Sequence, residues 1–374
     1  MTTAAEAPDR RATNHALSWL RQRGWAVLAG FRPHLAIYAI AFTTYAVGMI
    51  QSHMLGESVS LGLPGIAGSS ILVVAAGVVS VWLLADLIRL WRSGYAGSPT
   101  VALTKSLFND ILTPGRITNG FHAFVATGFF AIGFTTIKSN IPKINPFSWD
   151  EVFMAMDKAL HFGVLPHEIL APVFAYPLVT FLVNIIYNAW FFLLMGFYLW
   201  QGFRDKDTPL RQQFFLAYLL CWALGTCLFG TIFSSAGPCF YSRLLPGPDP
   251  YAGLMSYLAG VNAIYPIWAV GTQDMLWESY VSSQGTISGI SAMPSMHVGT
   301  SVIFFLCARA SGIRWLTWFT GIFAVIVMLG SVLLAWHYAV DGYFGALIAV
   351  ACWWLAGQWV RRSPLSSRPS SAQI

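Results

Sequence analysis

Long apolar runs separated by short polar and basic segments set the pattern of this chain. A run of about 18 to 25 apolar residues, wound as a helix, matches the ~30 Å hydrocarbon core of a bilayer. By that measure eight spans are expected, at 33–51, 66–88, 119–137, 173–202, 212–234, 294–310, 315–335 and 337–360. The fourth is long enough to tilt. Residues 251–270 are also apolar, but Asn262, Pro266 and nearby glycines interrupt them, so this stretch reads as interfacial or re-entrant. The expected fold class is therefore all-α, a polytopic transmembrane helical bundle.

Composition sharpens this reading. Only 10% of the 374 residues are charged, against about 25% in a soluble globular chain. A soluble multi-domain enzyme is excluded on that ground, as are disordered, collagen-like and disulfide-rich secreted classes. The net charge of +6 is spread as single residues between apolar runs, which points to membrane topology and away from nucleic acid. With the N-terminus inside, every Lys and Arg except Lys138, Lys143, Lys158 and Arg243 falls on the inner side. Both termini are accordingly expected to be cytoplasmic, and a ninth span at 251–270 would spoil the bias by moving Arg309 and Arg314 outside. The first apolar run starts after 32 residues without an obvious cleavage site and reads as a retained anchor. The five cysteines form no CxxC and give no disulfide framework.

The chain then divides into an N-terminal cytoplasmic segment at 1–32, two spans and a cytoplasmic loop at 33–118, a helical bundle at 119–360 and a basic, Ser-rich tail at 361–374 that is expected to be disordered. Two outer connections are long, about 138–172 and 235–293, and connections of that length usually carry function. The first, with Trp149, Asp150, Glu151, Asp157, Lys158 and His161, reads as a short amphipathic helix on the membrane surface with its charges facing solvent. A metal site from Asp157, His161, His167 and Glu168 lacks a recognisable ligand spacing and is not expected; a lid over the site is the preferred functional alternative. Asn184 and Asn188, one turn apart in the fourth span, read as interhelical hydrogen-bonding groups, and Asp86 with Arg89 as a local ion pair.

The candidate chemistry sits in the last third. Ala292-Met293-Pro294-Ser295-Met296-His297-Val298-Gly299 lies at the outer end of the sixth span, and Trp336-His337-Tyr338-Ala339-Val340-Asp341 at the outer end of the eighth. His337 and Asp341 are four apart on one helical face, so the carboxylate can accept the Nδ1 proton and leave Nε2 free as nucleophile or base. His297 arrives from another helix at the same membrane level. Ionisable groups at span ends are costly and are functional candidates for that reason.

PSMH followed by HYAVD resembles the second and third signature motifs of the membrane type 2 phosphatidic acid phosphatase (PAP2) superfamily. The resemblance implies a six-helix catalytic core, with His337 as the nucleophile that attacks phosphorus, Asp341 orienting it and His297 protonating the leaving oxygen. Ser295 and the first backbone N–H groups of the sixth helix are placed to donate to the phosphate. The family's first motif, Lys-x6-Arg-Pro, is absent; its nearest cationic candidate is Arg243, with Tyr241 beside it. The arginine expected before the third motif is Ser331, and Met296 stands where the phosphatases commonly have Gly. These departures resemble the branch containing inositol phosphorylceramide synthase.

Fewer fixed arginines suit a singly charged phosphodiester better than a dianionic monoester. The leading expectation is therefore a phosphotransferase that moves a phospho-headgroup from a membrane lipid to a lipid or small alcohol acceptor through a phosphohistidine, without metal or other cofactor. A PAP2-type lipid phosphate phosphatase is the alternative within the enzymes, and a proton-coupled transporter the competing class. The expected location is a bacterial inner membrane with the site on the periplasmic side, or the lumenal side of a eukaryotic membrane.

Overall fold

The computed structural model describes residues 21, 24, 25, 27, 28, 30–282 and 289–362. Most of the N-terminal segment and the tail beyond Arg362 therefore lie outside the described residues. Within them the secondary structure is helical, and all eight expected spans fall on helices. These are α1 (Phe31–Leu55), α2 (Gly62–Arg92), α3 (Pro99–Ser106), α4 (Pro114–Ile144), α5 (Asp150–Leu160), α6 (Pro166–Phe174), α7 (Pro177–Asn188), α8 (Trp190–Gly202), α9 (Pro209–Trp222), α10 (Tyr241–Leu244), α11 (Ala252–Asn262), α12 (Trp268–Ser282), α13 (Met296–Ala310), α14 (Arg314–Leu333) and α15 (Ala339–Arg362).

Six helices among the described residues are long and apolar enough to cross a membrane: α1, α4, α7 with α8, α9 with its extension to Ile232, α14 and α15. The protein is an integral membrane protein. Two expected spans differ from the rest. The second coincides with α2, a 31-residue helix. The sixth is only the 15-residue α13, about 22 Å long at 1.5 Å per residue and short of a full crossing. The reason is local: Pro294 and Ser295 carry extended chain down to residue 296, where the helix begins.

Local chemistry explains most other boundaries. Thr113 caps α4 by accepting the Arg116 amide, and Thr208 caps α9 by accepting that of Arg211, each with a proline in the first turn. The fourth span breaks at Ala189, where Asn188 turns its Nδ2 back onto the Asn184 carbonyl at 2.8 Å. Asn184 in turn accepts the Ala269 amide at 3.4 Å, linking α7 to α12. Asp86 and Arg89 form the expected pair at 2.5 Å. The interrupted stretch 251–270 becomes α11 and the start of α12, with no membrane-length helix.

Packing gathers α9, α13, α14 and α15 into one core, with α7 on α14 and α1 against α4. Aromatic stacking ties α8 to this core, as in the Phe197–Phe304 rings 4.6 Å apart. The closest approach decides the site. A Cβ on Gly345 would stand inside contact distance of the Ser295 carbonyl oxygen, so only glycine lets α15 reach the head of α13.

Candidate active site

The two signature segments meet at that approach. The Ser295 amide donates to the Asp341 carbonyl at 2.9 Å, joining the head of α13 to the first turn of α15. Upstream, the chain enters through Ser235, whose carbonyl accepts the Ala292 amide at 2.9 Å and whose Oγ accepts that of Met293 at 3.3 Å. The Met293–Pro294 peptide is cis.

His337 lies just before α15 in a turn held by Ser331, whose carbonyl accepts both the Trp336 amide at 3.0 Å and the His337 amide at 3.1 Å. Ser331 is fully buried and turns its own hydroxyl onto the Met328 carbonyl at 2.7 Å. The position that lacks the family's arginine thus supports the backbone of the nucleophile candidate. His337 Nδ1 stands 3.4 Å from Asp341 Oδ2, within ion-pair range, and His337 Nδ1 and Asp341 Oδ1 have no hydrogen-bond partner among the described residues. The same Oδ2 accepts the Tyr338 amide at 3.0 Å, which fixes the carboxylate in place.

His297 is half-buried on α13 and held by aromatic rings. Tyr187 stacks on it at 4.8 Å with 19° between planes, and the Trp190 ring lies 4.4 Å away. Trp190 Nε1 also donates to the His297 carbonyl at 3.1 Å, so one side chain fixes both backbone and ring environment. His337 and Lys138 both lie close enough to act on His297 electrostatically. Two residues before it, the Ser295 hydroxyl is buried and has no hydrogen-bond partner among the described residues. An unpaired donor beside the first turn of a helix is a ready group for a phosphate oxygen.

The structure therefore brings together His297, His337, Asp341 and Ser295. Tyr241 reaches them indirectly, through a file of rings in which Tyr251 lies 5.6 Å from Tyr241 and 5.9 Å from Tyr338. Arg243 is elsewhere engaged: its guanidinium donates to Asp274 at 2.7 Å and lies over the Trp277 ring at 5.4 Å. Of the other outer cations, Lys143 pairs with Glu57 at 2.6 Å. Lys138, counted from sequence only toward topology, lies within electrostatic range of His297.

The outer helix α5 corrects the sequence reading. It is amphipathic, but Asp150 and Asp157 are buried and do not face solvent. Asp157 accepts the Ala339 amide at 2.8 Å and the Val340 amide at 3.0 Å, capping α15 directly after His337. Asp150 accepts the Ala236 amide at 3.0 Å, the Gly237 amide at 2.9 Å and the Tyr338 hydroxyl at 2.9 Å. Gly237, at φ +101° and with the Trp336 carbonyl 2.7 Å from where a Cβ would sit, is the residue that allows this turn. Burial pushes both carboxyls above the usual carboxylate range, while the N–H donors pull the other way. A signal for this existed: Asp150, Phe153 and Asp157 share one face at i, i+3 and i+7, and Phe153 is a core residue.

His161 Nδ1 donates to the Asp157 carbonyl at 2.6 Å, and its Nε2 is hydrogen-bonded to the Tyr343 hydroxyl at 2.8 Å. His167 packs on Tyr251 at 5.4 Å, and Glu168 accepts the Leu165 amide. These partners account for the residues that a metal site on this loop would use.

Neither the curated proteins nor the solved structures contain a match to this chain. The family described as the PAP2 superfamily matches residues 151–355, more than half of the chain and the whole of the constellation just described from Asp157 to Asp341, and the chain belongs to that superfamily.

Proposed function

We propose that this membrane protein is a lipid phosphotransferase that carries a phospho-headgroup on His337 and hands it to an alcohol. The observation that supports this most is the pairing of His337 Nδ1 with the fixed Asp341 carboxylate at 3.4 Å. Closing that gap to a hydrogen bond in the substrate complex would place the proton on Nδ1 and leave the Nε2 lone pair available. Nε2 attacks phosphorus and the bond to the departing lipid oxygen breaks, with His297 supplying the proton that oxygen takes. In the second half the acceptor hydroxyl gives its proton to His297, attacks the same phosphorus and releases His337.

The phosphate oxygens have few partners, and those few suit one negative charge. The head of α15 is already occupied by Asp157, which leaves the head of α13 with Ser295 as the anion-binding end. Lys138 lies within electrostatic range of His297, and Arg243 contributes only by leaving Asp274. A headgroup diester fits this set better than a dianionic monoester. The aromatic wall of Tyr187, Trp190 and Phe191 around His297 also favours an alcohol acceptor by limiting water on that side. The site is assigned to the extracytoplasmic face by the positive-inside distribution of Lys and Arg.

The test is a panel of labelled phospholipids with a pool of alcohols, including ceramide, diacylglycerol and inositol, incubated with purified protein in detergent plus chelator. A new phospholipid is expected with wild type and not with His337→Ala. Released headgroup phosphate without a new lipid would make the protein a hydrolase; no His337-dependent product at all would overturn the reading.

A further inference from the structure

The nucleophile turn is held by a helix that is not one of the membrane-length ones, and the holding groups are carboxylates more than 180 residues away in sequence. From these contacts we infer that α5 is a brace for the catalytic turn, with Asp157 and Asp150 as positioning residues that fix the backbone on either side of His337.

The geometry is specific. Asp157 spends both oxygens on the first two amides of α15, Ala339 and Val340. These are among the amides at a helix start that have no partner within their own helix, so a carboxylate from elsewhere must satisfy them in a buried setting. Asp150 divides its oxygens between the Ala236–Gly237 turn and the Tyr338 hydroxyl. One rigid helix thus grips the residue after His337, the start of the helix that carries Asp341, and the loop beside Trp336. The Gly237 backbone leaves no room for a Cβ beside the Trp336 carbonyl, and the Cys239 amide donates to the Ala335 carbonyl at 3.0 Å, so that loop packs against the nucleophile turn. Both carboxylates are about 98% buried, and the seven-residue spacing places them two turns apart on the face that carries Phe153. A lid that opens for substrate would have to break five hydrogen bonds from buried carboxylates, which argues that α5 stays docked.

The energetic logic also separates this role from catalysis proper. Neither carboxylate touches His337; each acts on backbone that orients the imidazole against Asp341. A displacement near 1 Å at such a site costs on the order of 10²-fold in rate while leaving lipid binding nearly intact.

The experiment uses the full chain in detergent with Asp157→Ala, Asp157→Asn and Asp150→Asn, and Glu151→Gln on the exposed side of α5 as the control. Amide exchange across 336–342 is read beside kcat and KM for a short-chain phosphatidylinositol with a short-chain ceramide. The brace predicts exchange at Ala339 and Val340 at least about tenfold faster in Asp157→Ala, kcat about 10²-fold lower and KM within about threefold. Asp157→Asn should fall between Asp157→Ala and wild type, since its amide oxygen accepts without charge, and Glu151→Gln should match wild type. Unchanged exchange at both amides in Asp157→Ala would overturn the proposal. So would a rate loss no larger than the loss of folded protein, or failure of both Asp157 variants to fold. The inference about rate rests on the proposed phosphotransfer; if wild type turned over no probe, that reading would fail while the exchange measurement still decided the brace.

Discussion

Replacing His337 with alanine is expected to lower turnover about 10⁴-fold or more, because the step it performs has no substitute in the site. Asp341 is fully buried and directed at His337, so it cannot reach phosphorus itself, and the Ser295 hydroxyl has no hydrogen-bond partner among the described residues to take its proton. The fold should survive the change. His337 is buried, but the hydrogen bond from its amide to the Ser331 carbonyl is independent of the side chain, and the Asp341 carboxylate keeps the Tyr338 amide. The check is turnover of the phospholipid panel by a variant whose thermal midpoint matches wild type. Residual activity above about 1% of wild type would remove His337 as the nucleophile.

His297→Asn is expected to cost about 10²- to 10⁴-fold with a lipid alkoxide as leaving group, the range for loss of a positioned general acid. The diagnostic is the leaving group. A p-nitrophenyl phosphodiester departs without a proton, so the same variant should lie within about tenfold of wild type on that probe. An equal loss on both would mean that His297 binds or positions substrate and does not donate a proton. The contacts of Trp190 and Ser301 with the His297 carbonyl are backbone contacts and remain in the variant, which keeps the comparison one of chemistry.

What could be read from the chain and what could not divide along a physical line. The spans were legible because burial in lipid demands long apolar helices; apolar length alone started two of them at 119 and 212, whereas Thr113 and Thr208, each followed by a proline, cap the helices several residues earlier. The shortness of α13 was less legible, since Pro294 and Ser295 are themselves tolerable in an apolar run and only their conformation stops the helix. His297, His337 and Asp341 were legible from spacing and residue type, and the Ser295–Asp341 backbone bond shows two of their segments joined.

The brace was not legible in the same way. The partners of Asp150 and Asp157 are backbone N–H groups and one tyrosine hydroxyl, and a backbone donor leaves no mark in a sequence. Charges on a short amphipathic helix ordinarily face water, and that expectation misplaced both. Arg243 has a partner that the sequence does not advertise. Its isolation in the sequence made it the natural phosphate contact, and Asp274, in α12 beyond the intervening α11, pairs with its guanidinium. Lys138 went unremarked because a lysine at the end of a span is ordinarily a topology signal.

The central claim is that the phospho-headgroup rests on His337 between donor and acceptor. It is tested most directly by rapid quenching of the protein with a headgroup-labelled phosphodiester lipid in the absence of acceptor, followed by peptide mapping under basic conditions. The account predicts a label that is stable to base, lost in acid, carried by the peptide containing His337 and absent from His337→Ala. Turnover of the same lipid with no labelled protein, or with the label on another residue, would contradict it.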